Sequence, residues 1–430
     1  MLYESSLTDP AIAGPDRGTG SRPARAGEPA APALPAFAQL LDRYQPGDDL
    51  FASPRGTWLG QGVVAALPAD TPPAATHALG AQRLRDQVAE LLQQATRAQQ
   101  GEQALVMGAV PFDLRQPAAL RAPQRLTRGA APQAAAQPAA VGAIRPVAAR
   151  PEPAPAVYEA AVDAALARFA EGSLDKVVLS RTLALELPTA PDSRELLRRL
   201  AALNTRGYTY AVPLEAVGDQ PAGAFLGGTP ELLVRRIGRH VYVNPLAGST
   251  PRGRSADEDT RLSQTLLQSP KDRHEHAVVI DAVVRALRPL CRSLDVPAGP
   301  SLVSTDALWH LSTVLQGELV DEATTSLDLA LALHPTPAVC GHPTARAFEA
   351  IGELEPFERG LFAGFVGWCD ARGDGEWAVT LRCAEVRGSA VRLYAGAGVV
   401  AGSVPASETA ETQTKFSTML RALGIAPDAL

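Results

Sequence analysis

The sequence predicts an α/β chain of the α+β kind, built on large, mainly antiparallel β-sheets with helices flanking them. Strand-like runs follow one another in meanders, as in KVVLSRTLALEL (176–187), AFLGG (224–228), ELLVRR (231–236) and HVYVNPL (240–246). The helical segments do not alternate strictly with these runs, which argues against a parallel sheet of βαβ units. A hairpin is signalled at 376–396, where Arg387-Gly388-Ser389 joins two alternating runs.

Along the chain, residues 1 to about 35 are rich in Ala, Pro and Gly with few large apolar side chains, and are expected to be a disordered leader. A single domain is expected from residue 36 to 430. Its first part holds a polar helix at about 79–100 and the apolar run ALVMGAVPF (104–112). An Ala/Pro-rich stretch at about 117–156 reads as a partly extended surface connector. Beyond it, helices are expected at 157–171, 191–203, 270–291 and 407–423.

The 430 residues carry a net charge of −6, which gives no general reason to expect nucleic acid or an anionic membrane as partner. Cys291, Cys340, Cys369 and Cys383 lack C-x-x-C spacing and are expected to be reduced core thiols. No apolar run reaches the length of a bilayer and the start has no secretory pattern, so a cytoplasmic location is expected.

The polar residues that could do chemistry each admit an ordinary reading. In SPKDRHEH (269–276), Ser269 can cap a helix, Pro270 suits its first turn and Asp272 completes a capping-box pattern, leaving Glu275 unexplained near an apolar helix start. Glu408 and Glu411 share a helix face at i, i+3 spacing; such pairs are ordinarily solvated, but with Glu275 across a cleft they would suit Mg2+. Strand alternation puts Lys176, Val178 and Ser180 on one face. A strand lysine is ordinarily exposed, and a base lysine would need desolvation or cationic neighbours. Glu231, after the turn at Gly227-Gly228-Thr229-Pro230, has the same ambiguity.

The glycine-rich GAGVVAG (396–402) has the wrong spacing for a dinucleotide loop, whereas exposed amides at Gly396 and Gly398 could hold a carboxylate. Arg382 and Lys415 are candidate anion partners. His310 and His334 lie in apolar surroundings, which argues against a histidine metal site.

Together these segments resemble the chorismate-utilising family, and within it the isochorismate synthases of siderophore biosynthesis. The strings that carry the resemblance include VMGAVPFDLRQP, DKVVLSR, LGGTPELLVRR, PLAGS, SPKDRHEH, LWHLST, LHPTPAVCG, ELEPFERGLFAGFVGWCD, GEWAVTLRC, RLYAGAGVV and the final ET-x-x-K-x-STML, in family order from about residue 100 onward. The resemblance implies that family's fold, with large antiparallel sheets packed together, and a monomer acting on chorismate.

It also implies roles. Lys176 matches the base that activates water for attack at C2 of chorismate, and Glu231 the acid that protonates the departing C4 hydroxyl. Glu275 and Glu411 match magnesium ligands, with Glu408 in support. Arg382, Gly396, Gly398 and Lys415 match groups around the substrate carboxylates. Gly248, Ser249, His310 and Ala338 fall in segments lining the same pocket. Ammonia-using relatives carry a glutamine-type residue in place of Lys176, and the aminodeoxychorismate enzymes a lysine in place of Ala247. Two other readings stay open: a salicylate synthase that also eliminates pyruvate, and an inactive chorismate-binding protein.

Overall fold

The computed structural model describes residues 34–98, 104–133, 144–305 and 307–426. All but the last two residues of the expected leader lie outside these. Among the described residues the strands form sheets of ten, nine and three. Neighbours in the two large sheets are antiparallel throughout.

The first sheet is organised by an eleven-residue strand, Lys176–Glu186, paired along its whole length with Ala390–Val400, from Ala390 opposite Glu186 to Val400 opposite Lys176. Beyond these come Cys383–Arg387, Gly223–Thr229, Tyr208–Leu214 and the N-terminal strands. The second sheet runs through His240–Asn244, Leu232–Ile237, Gly375–Val379, Phe365–Asp370 and Leu105–Val110. A small third sheet joins Leu246–Pro251, Leu308–Ser312 and Ser301–Ser304.

The main core lies between the large sheets, where Trp58 of the first meets Trp368 of the second edge-on, with ring centroids 5.5 Å apart. A separate apolar cluster covers the first sheet's outer face. There Leu197 and Leu200 of the helix Ser193–Leu203 and Phe416 and Leu420 of Pro405–Leu423 pack on Leu183, Leu185, Leu226 and Leu393. This packing overrides the ordinary reading of a strand lysine as exposed: helices cover one side of Lys176–Glu186 and the interior the other, and its first eight residues, Lys176 among them, are all buried.

The expected helices form at His77–Ala98, Pro155–Ala170, Ser193–Leu203, Pro270–Leu287 and Pro405–Leu423. The fourth stops short of its expected end because Cys291–Asp295 pairs as a strand with Leu315–Leu319. Ser326–Leu333 escaped the periodicity because six of its eight residues are buried, so no polar face marks it as a helix. The Ala/Pro-rich stretch is also more ordered than its composition implies. Ala119–Ala122, Arg125–Gly129 and Ala148–Glu152 are strands within it, recruited by partners outside the stretch: Leu105–Val110, Gly56–Gln61 and Lys176–Glu186. Its residues 134–143 lie outside those described. All four cysteines are free and buried.

Two of the chain's direct passages between the large sheets lie side by side. Gly223–Thr229 leads through Pro230 and Glu231 into Leu232–Ile237, and Gly375–Val379 leads through Arg382 into Cys383–Arg387. The crossings are bonded to each other: Val379 N–H donates to Glu231 O at 3.0 Å, and Gly228 N–H to Arg382 O at 3.1 Å. Arg382 has φ 47°, in the left-handed region a non-glycine residue enters at a cost.

Phe365 is fully buried, with His334 and Trp377 edge-on to its ring. Phe365→Ala is expected to lower unfolding free energy by about 3–5 kcal/mol in a urea titration. A loss under about 1 kcal/mol would mean that this core can collapse around the cavity.

Candidate active site

Where the two crossings meet the third sheet, one cavity brings together nearly all the polar residues singled out above. Its walls include Glu231, Gly248, Ser249, Glu275, His310, Ala338, Arg382, Gly396, Gly398, Glu408, Glu411 and Lys415. Lys176 is the exception. It does not line the cavity but stands behind it, 1% exposed, with Nζ donating to Glu275 Oε1 at 2.8 Å.

Glu231 is 3% exposed at the first crossing. Desolvation pushes its carboxyl up to about 7, against the opposing pull of the Leu246 amide and of Lys176, Arg382 and Lys415. Arg382 is 7% exposed, and burial brings its guanidinium down to about 10. One of its N–H groups donates to His310 Nε2 at 3.0 Å. Burial first, then the charges of Arg382 and Lys415, hold His310 well below its ordinary pKa, so it is a neutral acceptor. His334 is structural, its Nε2–H donating to Phe112 O at 2.9 Å.

The ladder register explains the glycines. Cys383–Arg387 pairs with Ala390–Val400 only as far as Leu393, so Tyr394–Val400 has no strand on that side among the described residues. Val178 N–H and Ser180 N–H point the other way, donating to Cys340 O at 2.8 Å and Glu355 Oε1 at 2.7 Å. Their antiparallel partners, Gly398 and Gly396, therefore turn N–H and C=O toward the cavity. Lys415 Nζ takes up Gly396 O at 2.8 Å, leaving two amide donors facing the open edge. Side chains are excluded here as well. A Cβ on Gly398 would stand 2.7 Å from Glu275 Oε1, and one on Gly396 would stand 2.6 Å from Ser180 Oγ.

The acidic wall comes from two helices. Ser269 caps Pro270–Leu287, accepting from Asp272 N–H at 3.3 Å, and this start aims Asp272 and Glu275 inward. Glu408 and Glu411 come from Pro405–Leu423. Each expected metal ligand lies near a lysine: Glu275 with Lys176 at 2.8 Å, Glu411 with Lys415 at 2.7 Å, and Glu408 with Lys271 at 3.8 Å. Among the described residues no three carboxylate, imidazole or thiol groups converge into a ready-made metal site. The carboxylates nevertheless feel one another. Burial is the main cause raising Asp272 and Glu408, and their acidic neighbours Glu275 and Glu411 raise Asp272 while Glu411 raises Glu408.

Several lining residues escaped sequence reasoning. Asp272 was explained as a cap, Ser180 was hidden in a strand, and Phe362 and Tyr394 stack across the cavity wall with centroids 5.2 Å apart. Glu355 and Arg359 form a buried pair whose only local trace is i, i+4 spacing, and Arg359 also donates to Val339 O at 2.8 Å and Val178 O at 2.7 Å.

The sequence profile of the chorismate binding enzymes matches residues 124–424, most of the chain. This chain belongs to the chorismate binding enzyme family. It is 49% identical to isochorismate synthase DhbC of Bacillus subtilis over 387 residues, 90% of this chain and 96% of that protein. It is 42% identical to the vibriobactin-specific isochorismate synthase of Vibrio cholerae over 375 residues, 87% and 91% of the two chains. The crystal structure of DhbC from Bacillus anthracis superposes with a TM-score of 0.83 at 43% identity, covering 90% of this chain and 99% of that one.

Gly398→Ala would drive a methyl group into the Lys176–Glu275 contact. It is expected to cost roughly 100-fold in turnover with the melting temperature held within a few degrees, because displacing reactive groups by about an ångström costs that much. Parental turnover would mean that Glu275 moves aside freely.

Proposed function

We propose that the protein is an isochorismate synthase, an isomerase that converts chorismate to isochorismate. Lys176 takes a proton from water as its oxygen bonds to C2, the ring double bonds shift, and the C4 hydroxyl leaves with a proton from Glu231. One water is consumed and one released. Water is a poor nucleophile and hydroxide a poor leaving group, so the reaction needs a base and an acid at separate positions on the ring. The product would feed a 2,3-dihydroxybenzoate or other catechol-type siderophore pathway, in line with the vibriobactin-specific relative.

The single observation that carries the proposal is Glu231. A solvated carboxyl would hold no proton near neutral pH, whereas one pushed up to about 7 is half protonated there and able to donate. Around it, Arg382, Lys415 and the amides of Gly396 and Gly398 form a cationic, donor-rich lining suited to a dicarboxylate.

The all-oxygen set of Glu275, Glu408 and Glu411, with Asp272 beside it, suits Mg2+, which keeps waters and substrate oxygens among its ligands. When bound, the ion would neutralise and orient a substrate carboxylate. Lys176 acts as the base only as a neutral amine whose lone pair faces the reacting water, so a turn of its Nζ from behind the wall toward the cavity belongs to the proposed cycle.

Proton NMR of chorismate incubated with the full chain, with and without Mg2+, tests the reading. The expected outcome is magnesium-dependent appearance of isochorismate to an equilibrium mixture. Salicylate with equimolar pyruvate would assign the lyase reaction instead, and unchanged chorismate would leave a binding protein.

The acid role has a pH signature. Glu231 donates only when protonated, so kcat is expected to fall as pH rises through about 7. Glu231→Gln is expected to lose roughly 100- to 10,000-fold in kcat, the usual worth of a general acid. A profile flat from pH 6 to 8, or an active glutamine variant, would remove that assignment.

A further inference from the structure

Ser180 is a residue of the cavity whose chemistry the roles above leave unused. It is 1% exposed and lines the cavity, and among the described residues its hydroxyl has no hydrogen-bond partner. An unpaired buried hydroxyl costs stability, so a site that keeps one in a fixed position has a use for it.

The position is fixed from both sides. Ser180 N–H donates to Glu355 Oε1 at 2.7 Å, and that carboxylate is gripped by Arg359, whose Nε donates to Oε2 at 2.8 Å. Arg359 Nη2 also donates to Val178 O, two residues earlier in the strand, at 2.7 Å. Across the ladder Ser180 stands opposite Gly396, with Oγ where a side chain on that glycine would lie. The hydroxyl is therefore beside the amide and lysine that make this edge of the cavity attractive to an anion.

We infer that Ser180 is a substrate-binding residue whose Oγ–H donates to a carboxylate oxygen of the bound dicarboxylate, next to the Gly396 amide. The inference rests on the proposed reaction and adds a contact that sets affinity rather than the rate of proton transfer. The missing side chain of Gly396 makes room for that hydroxyl, and the Glu355–Arg359 pair holds the strand so that the donor is in place before the ligand arrives.

Steady-state kinetics with chorismate and Mg2+, on the parent and on Ser180→Ala, tests it alongside thermal melting with and without chorismate. Loss of a hydrogen bond to a charged group is expected to lower kcat/KM by about 10- to 100-fold, carried by KM. The ligand-free variant is expected to melt no lower than the parent, since it sheds an unsatisfied polar group, while the stabilisation by chorismate shrinks. Unchanged kcat/KM in the variant, with an active parent, would overturn this inference alone. A ligand-free melting temperature lowered in step with activity would make Ser180 structural and overturn it too. An inert parent would overturn both the reaction and the contact.

Discussion

The site depends on two chain crossings between sheets, tied to each other by backbone hydrogen bonds. Glu231 and Arg382 stand at these crossings, and the bonds from Val379 to Glu231 and from Gly228 to Arg382 lock the two passages together. A residue at such a crossing lies on neither sheet's solvated face. Its side chain enters the gap between layers, where water is scarce and ionisation is costly. Two altered proton affinities follow from that placement: a carboxyl pushed up to about 7 and a guanidinium brought down to about 10. His310, on the third sheet, is held neutral by its own burial and by the charges of Arg382 and Lys415.

Charge balance in the gap is arranged in pairs. Lys176 is offset by Glu275, Lys415 by Glu411, and Glu408 has Lys271 nearby. Two of these pairs join different elements and Glu411–Lys415 lies within one helix, so an anionic ligand or a cation entering the cavity can exchange partners with them without leaving a charge uncompensated. Among the described residues Glu231 has no such partner within salt-bridge distance, and desolvation raises its carboxyl to about 7. That asymmetry sets Glu231, the proposed acid, apart from the lysine-paired carboxylates.

Much of the fold was legible because local pattern and final structure agree. The hairpin at Arg387 closes through Gly388, in the left-handed region at φ 62°, and the strongly apolar helix after Ser269 starts at its cap. The site was legible only through the resemblance. Alone, Lys176 and Glu231 read as surface strand residues, since nothing near them in sequence reports that helices and a second sheet will bury them. Ser180 and the Glu355–Arg359 pair gave still less, because their meaning lies in contacts 175 residues apart along the chain. The strands inside the Ala/Pro-rich stretch were missed for a related reason: pairing with partners outside the stretch overrides weak local preference.

The central claim is that Glu231 holds a proton near neutral pH because of where the chain crosses between sheets. A carbon-13 titration of the glutamate side-chain carboxyls in the ligand-free protein, with the Glu231 signal assigned by its loss in Glu231→Gln, tests this without reference to any substrate. The account predicts a midpoint near 7 for that signal. A midpoint near 4.5, the ordinary value of a solvated glutamate, would contradict it.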